Sequence, residues 1–233
     1  MITLGIIGIV AAMTIPTLIS KYYEKATVSR LKQSYSMLSQ AYQYAVNENG
    51  DVLSWNLGSD MNNQQSHANF ANYLKPYLKI SKDCINKSQD YVLENCINVS
   101  SLSRLDLFSS VRLNNGASLI FRIWQPKCNF TFGTGKAETC GQIVVATNPM
   151  EEYEPGKNVF AFYFTTRGII PFGLEGQEYT FEKACNPDIE NPYPGFSSGN
   201  MYACTAWVLY NENMDYWDCP GKLSWKGKHS CKN

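Results

Sequence analysis

The residues of this chain best equipped for chemistry are its eight cysteines: Cys84, Cys96, Cys128, Cys140, Cys185, Cys204, Cys219 and Cys231. They are even in number, fall in the later part of the chain, and form no C-x-x-C knuckle of the kind that holds zinc. That pattern points to disulfides in an oxidising compartment ahead of free thiols or a metal site. Pairing in sequence order, Cys84–Cys96, Cys128–Cys140, Cys185–Cys204 and Cys219–Cys231, closes four short loops, each contributing about 2–4 kcal/mol. Eight cysteines allow 105 pairings, and the sequence leaves the choice open.

Other reactive constellations are scarce. The two histidines, His67 in an asparagine- and glutamine-rich stretch and His229 in a lysine-rich tail, read as solvated surface residues. No G-x-S-x-G, H-E-x-x-H, Walker loop or Rossmann glycine set occurs, so the chain is read as a non-enzyme without a cofactor. Glu151, Glu152 and Glu154 offer oxygens but lack the spacing of a calcium loop, and are read as a solvated acidic loop. Tyr202, Trp207, Tyr210, Tyr216, Trp217 and Trp225 form an aromatic tail, read as a small core of its own rather than a binding surface. Twenty basic residues balance twenty acidic ones, which gives no footprint for nucleic acid.

The elements that carry these residues follow from pattern. Residues 2–19 hold no charge, long enough to cross a hydrocarbon core of about 30 Å. The helical pattern then continues without a breaker to Asn47, Asn49 and Gly50, giving one helix of about 45 residues and roughly 70 Å. Gly5, Gly8, Ala11 and Ala12 put small residues on successive turns, where helices in a membrane approach closely, and Pro16 should loosen the helix near the end of the apolar run. Val28, Leu31, Tyr35, Leu38 and Tyr42 recur at steps of three and four, one stripe that packs on the head. The reading divides the chain into a transmembrane or assembly half at 1–20, an amphipathic half at 21–49 and a globular head at 50–233.

In the head, residues 51–66 read as irregular and 65–77 as a helix with Phe70, Tyr73, Leu74 and Tyr77 on one face. A loop rich in lysine and asparagine spans 84–96. A hairpin turns at Asn114, Asn115 and Gly116, where Asn-Gly supplies positive φ. Residues 141–148 and 158–168 are further strands, 202–210 a strand or short helix, and the tail from about 172 is loop-rich. The fold class is α+β: a long N-terminal helix on a small antiparallel sheet of about three or four strands, with a disulfide-rich C-terminal region.

The run ITLGIIGIVAAMTIPTLISKYYEKATVSRLKQSYSMLSQA resembles the N-terminal helix of type IV pilins and type II secretion pseudopilins, the prepilin-type cleavage and methylation family, with Pro16 matching a family proline. The resemblance implies a pilin-like head and a structural filament subunit, held in the inner membrane before assembly and partnered by other pilin-like subunits and an assembly machinery. Gly5, Ile7, Gly8, Ala11, Ala12 and Pro16 would then form the membrane and assembly face. The family's leader, its methylated phenylalanine and its glutamate would all precede Met1. Lys21, Lys25, Arg30 and Lys32 follow the apolar run and by the positive-inside rule would keep the head cytoplasmic, whereas the cysteines place it outside. A basic leader before Met1 reconciles the two, so the sequence is read as lacking its true start. The other reading is a membrane-anchored extracytoplasmic binding or adhesion module that does not polymerise.

Overall fold

A computed structural model describes residues 2–59, 63–99, 109–188 and 200–231; the side chains of residues 1–11 and 13 lie outside that description. Helix α1 runs Ile2–Asn49, 48 residues and about 70 Å at 1.5 Å per residue; it continues through Pro16, and no other breaker occurs after the apolar run until Gly50. Gly50 ends it with φ +77°, its N–H donating to the Val46 carbonyl at 2.9 Å. This is the left-handed stop that glycine makes without a Cβ penalty. Thr27, Val28, Leu31, Ser34, Leu38, Ala41, Tyr42 and Ala45 are buried along one face, and Tyr35 packs half-buried against the same core.

That face rests on a six-stranded antiparallel sheet in which strand order equals chain order: β1 Ile80–Asp83, β2 Ser109–Leu113, β3 Ser118–Ile123, β4 Thr139–Ala146, β5 Val159–Thr165 and β6 Gly168–Pro171. Two strands exceed the expected number. They are four-residue edge strands, too short for a period-2 pattern to register. The β2–β3 hairpin turns where expected, with Gly116 at φ +86° and the Asn115 Oδ1 accepting the Ala117 N–H at 3.1 Å.

Alternation in the strands divides the apolar residues between two cores. Val111, Leu119, Phe121, Ile143, Phe160, Phe162 and Phe164 face α1 and helix α2, Gln64–Leu74. Ile120, Val144, Ala161, Tyr163, Phe172 and Tyr202 face the other way. There they meet helix α3, Gln89–Asn95, and the single turn Asn200–Ala203. Tyr35 stacks on Phe162 with centroids 5.2 Å apart, and Phe70 of α2 stacks on Phe164 at 3.9 Å. The Tyr42 hydroxyl donates to the Thr166 carbonyl at 2.9 Å, and burial pushes its pKa up to about 12, so it stays a donor at any physiological pH. Tyr42→Phe should therefore cost about 1 kcal/mol in a urea titration without weakening the stripe's packing; no loss would mean that the carbonyl finds water instead.

Two local expectations are corrected and one open alternative is resolved. The loop between Cys84 and Cys96 contains α3, started by Ser88, whose Oγ accepts the Tyr91 N–H at 3.4 Å; with Val92 its one buried residue, the helix has no apolar stripe to betray it. The stretch after α1 is not merely irregular: it makes a 3-10 turn at Val52–Ser54 and buries Val52, Trp55 and Leu57 in the core. The tail holds helices α4, Phe181–Ala184, and α5, Cys204–Asn211, the latter settling residues 202–210 as helix rather than strand. The disulfides are Cys84–Cys96, Cys128–Cys140, Cys185–Cys204 and Cys219–Cys231, and no described cysteine is free.

Candidate functional site

Ahead of Tyr23, α1 runs out from the head with its described side chains exposed. Ile15, Leu18, Ile19 and Tyr22 follow at i, i+3, i+4 and i+7, so they share one stripe, and all are exposed: Leu18 is 70% and Tyr22 75% accessible. Nothing in the described chain covers them. Lys21 and Lys25 flank the stripe, also exposed. Of the residues expected to form an assembly face, Ala12 is exposed and Pro16 sits inside the uninterrupted helix, lining a cleft with Ile19 and Tyr23. The side chains of Gly5, Ile7, Gly8 and Ala11 lie outside the described residues. Among the described residues no helix is long and apolar enough to cross a membrane.

Where the stem meets the head, three polar side chains clamp it. The Glu24 Oε1 accepts the Met214 N–H at 2.7 Å. The Tyr23 hydroxyl donates to the Glu151 Oε2 at 2.8 Å, and partial burial raises its pKa. The Arg30 Nη1 donates to the Thr147 carbonyl at 3.1 Å and to the Asn148 Oδ1. Glu151 and Glu152 are exposed, so the acidic loop is solvated as expected and also clasps the helix. Inside it, the Asn158 Nδ2 donates to the Glu152 carbonyl at 2.7 Å, the Glu154 N–H donates to the Asn158 Oδ1 at 2.9 Å, and Lys157 pairs with Glu154 at 2.6 Å. Among the described residues no three His, Cys, Asp or Glu side chains group closely enough to hold a metal ion. Sequence reasoning missed this clamp. Its signal was available: Glu24 falls one turn before Thr27 and Val28, on the side of the helix that becomes buried.

The histidines separate. His229 is exposed, its ring centroid 5.6 Å from that of Trp207 in an edge-to-face arrangement. His67 is fully buried in α2, contrary to expectation, and its Nδ1 accepts the Ile123 N–H at 3.0 Å. Burial, together with the Arg122 charge, lowers its pKa to about 4, so it is neutral at pH 7. The aromatic tail forms packed structure: Trp207 is buried and stacks on Phe181 at 4.0 Å, Tyr216 is buried with its hydroxyl donating to the Gly156 carbonyl, and the Trp225 Nε1 donates to the Gly173 carbonyl at 3.0 Å. Tyr210 and Trp217 remain exposed at its edge.

The arrangement therefore holds a long helix rigidly by its second half and presents an apolar stripe on its first. No curated protein and no solved structure matches the chain. The profile of the Family of unknown function (DUF6613) matches residues 17–220, which begins just after Pro16 and takes in the stem's amphipathic half and most of the head. A match over that share of the sequence makes this chain a member of the DUF6613 family.

Proposed function

We propose that the protein is a pilin-like structural subunit, held in the inner membrane by the first part of α1 and drawn from it into a filament whose interior is made of packed stems. One observation carries the reading: the helix that is buried on the sheet from Thr27 onward continues outward with Ile15, Leu18, Ile19 and Tyr22 exposed on one stripe. Four large apolar side chains left in water on a single helical face mark a surface that lipid or another protein covers. The resemblance of residues 2–41 to a prepilin-type helix and the uncharged run 2–19 support the same conclusion. The head, stapled by four disulfides, suits an extracytoplasmic location.

The test is the double variant Ile15→Glu with Leu18→Glu, made in cells that produce the filament. Both positions are exposed, so head stability should change by no more than about 0.5 kcal/mol. Filament yield in electron micrographs should nevertheless fall to background. Filaments as abundant as those of the parent would overturn the reading. A parent chain that stays in the membrane fraction as single subunits would instead identify a permanent anchor carrying a binding head.

A further inference from the structure

The end of α1 opposite the stem borders a cleft of about 330 Å³, formed where the last turn of α1, the segment after the Val52–Ser54 turn, one side of α2 and the single turn Lys75–Tyr77 that follows α2 come together. Four asparagines line it, Asn49, Asn56, Asn69 and Asn72, with two tyrosine rings, Tyr73 and Tyr77, Pro76 and a single carboxylate, Glu48; the Asn49 Nδ2 is taken up by the Ala45 carbonyl at 2.9 Å, which leaves the other three amides to consider.

The amides are only partly used. The Asn69 Oδ1 accepts from the Gln65 Nε2 at 2.7 Å and the Asn56 Oδ1 accepts the Gly58 N–H at 3.4 Å, which leaves both NH₂ groups for a ligand. Asn72 is exposed and makes no side-chain hydrogen bond among the described residues. An amide carries two donors beside an acceptor, a spacing that suits neighbouring hydroxyls on a sugar ring.

The rings, by contrast, are fixed. Tyr73 stacks on the buried Trp55 with centroids 4.5 Å apart and planes 14° apart, while its hydroxyl accepts the Asn56 N–H at 2.9 Å. Tyr77 stacks on Tyr44 at 5.8 Å and donates its hydroxyl to the Glu48 Oε2. Rings held in this way lose little freedom when a ligand lies against them. The other Glu48 oxygen remains an acceptor. No cation lines the cleft, so an anionic ligand would meet the Glu48 charge without compensation.

We propose that this cleft binds a neutral saccharide, its hydroxyls shared among Asn56, Asn69, Asn72 and Glu48 and its apolar face set against Tyr73 and Tyr77. The site stands apart from the filament reading: a head that never assembled would keep it, and in a subunit anchored by its stem it lies at the end farthest from the membrane.

The experiment is a titration of the ¹⁵N-labelled full chain, in micelles whose headgroups contain no sugar. The probes are glucose, galactose, mannose, N-acetylglucosamine and N-acetylgalactosamine, with N-acetylneuraminic acid as the anionic comparison. At least one neutral probe should shift the side-chain amides of Asn69 and Asn72 with a Kd of about 1 mM, and Asn72→Ala should weaken it about tenfold. Because Asn72 is an exposed helix position, the variant keeps its fold, which the unchanged remainder of the spectrum reports. Shifts by none of the neutral probes up to about 50 mM, tighter binding of N-acetylneuraminic acid, or equal binding by Asn72→Ala would each overturn the proposal.

Discussion

Gly173→Ala should destabilise the head by at least about 3 kcal/mol, whereas Gly116→Ala should cost only about 1 kcal/mol. Both glycines adopt left-handed backbone, Gly173 at φ +98° and Gly116 at φ +86°, so both substitutions carry the same conformational penalty. They differ in what a methyl group meets. At Gly116, the tip of the β2–β3 hairpin, nothing lies within 4 Å. At Gly173 the new Cβ would stand 1.8 Å from the Ala203 carbonyl oxygen and 2.7 Å from its carbon.

Neither side of that contact can retreat. The Gly173 carbonyl accepts from the Phe181 N–H at 2.9 Å and from the Trp225 Nε1 at 3.0 Å, and the Gly173 N–H donates to the Gln177 Oε1 at 2.8 Å. Ala203 is fixed by its neighbour Cys204, bonded to Cys185, and by the Ala206 N–H donating to the Phe172 carbonyl at 2.8 Å. The crossing of these two segments seats α5 and the aromatic tail on the far edge of the sheet. Urea midpoints of the two variants with disulfides intact provide the measurement; equal losses would mean that the α5 segment can shift away at little cost.

How much of this was legible in the sequence depended on period and length. The long helix was readable because its stripe of Val28, Leu31, Tyr35, Leu38 and Tyr42 persists over several turns and ends at a glycine. The central strands were readable because Val159–Thr165 is a β-prone, nearly continuous apolar run, as befits a strand buried on both faces. Edge strands β1 and β6 were not, since four residues such as Ile80–Asp83 carry too little pattern. The stem clamp escaped because Tyr23, Glu24 and Arg30 look like ordinary solvated helix residues until the acidic loop and Met214 arrive from more than a hundred positions away. His67 escaped because its neighbours in sequence are polar. Yet His67, Phe70, Ala71 and Leu74 lie at i, i+3, i+4 and i+7, the same stripe that buries α2; Tyr73 and Tyr77, assigned to the helix face by sequence, are only half-buried and line the distal cleft.

That buried histidine makes head stability depend on pH. With Nδ1 occupied as the acceptor of the Ile123 N–H, the folded ring is neutral and takes up a proton only near pH 4. In the unfolded chain it does so near pH 6.5. Between those values the unfolded state binds a proton that the folded state refuses, so stability falls as pH drops from about 6.5 toward 4 and, for this group, levels off below. The full contribution is about 3 kcal/mol. Carboxylates titrate over part of the same range, which makes the parent's own pH profile ambiguous. His67→Asn removes the titration while keeping an acceptor for the Ile123 amide, since the Asn Oδ1 is bonded to Cγ as Nδ1 is. The variant should be less stable than the parent at pH 7, because its smaller side chain leaves part of the buried site empty. That deficit should shrink by about 3 kcal/mol by pH 4, since the carboxylate effects are common to both proteins and cancel. Parallel curves of urea-unfolding free energy against pH for the two proteins would show that His67 titrates alike in the folded and unfolded chain, and that the ring is open to water in a way its burial does not allow.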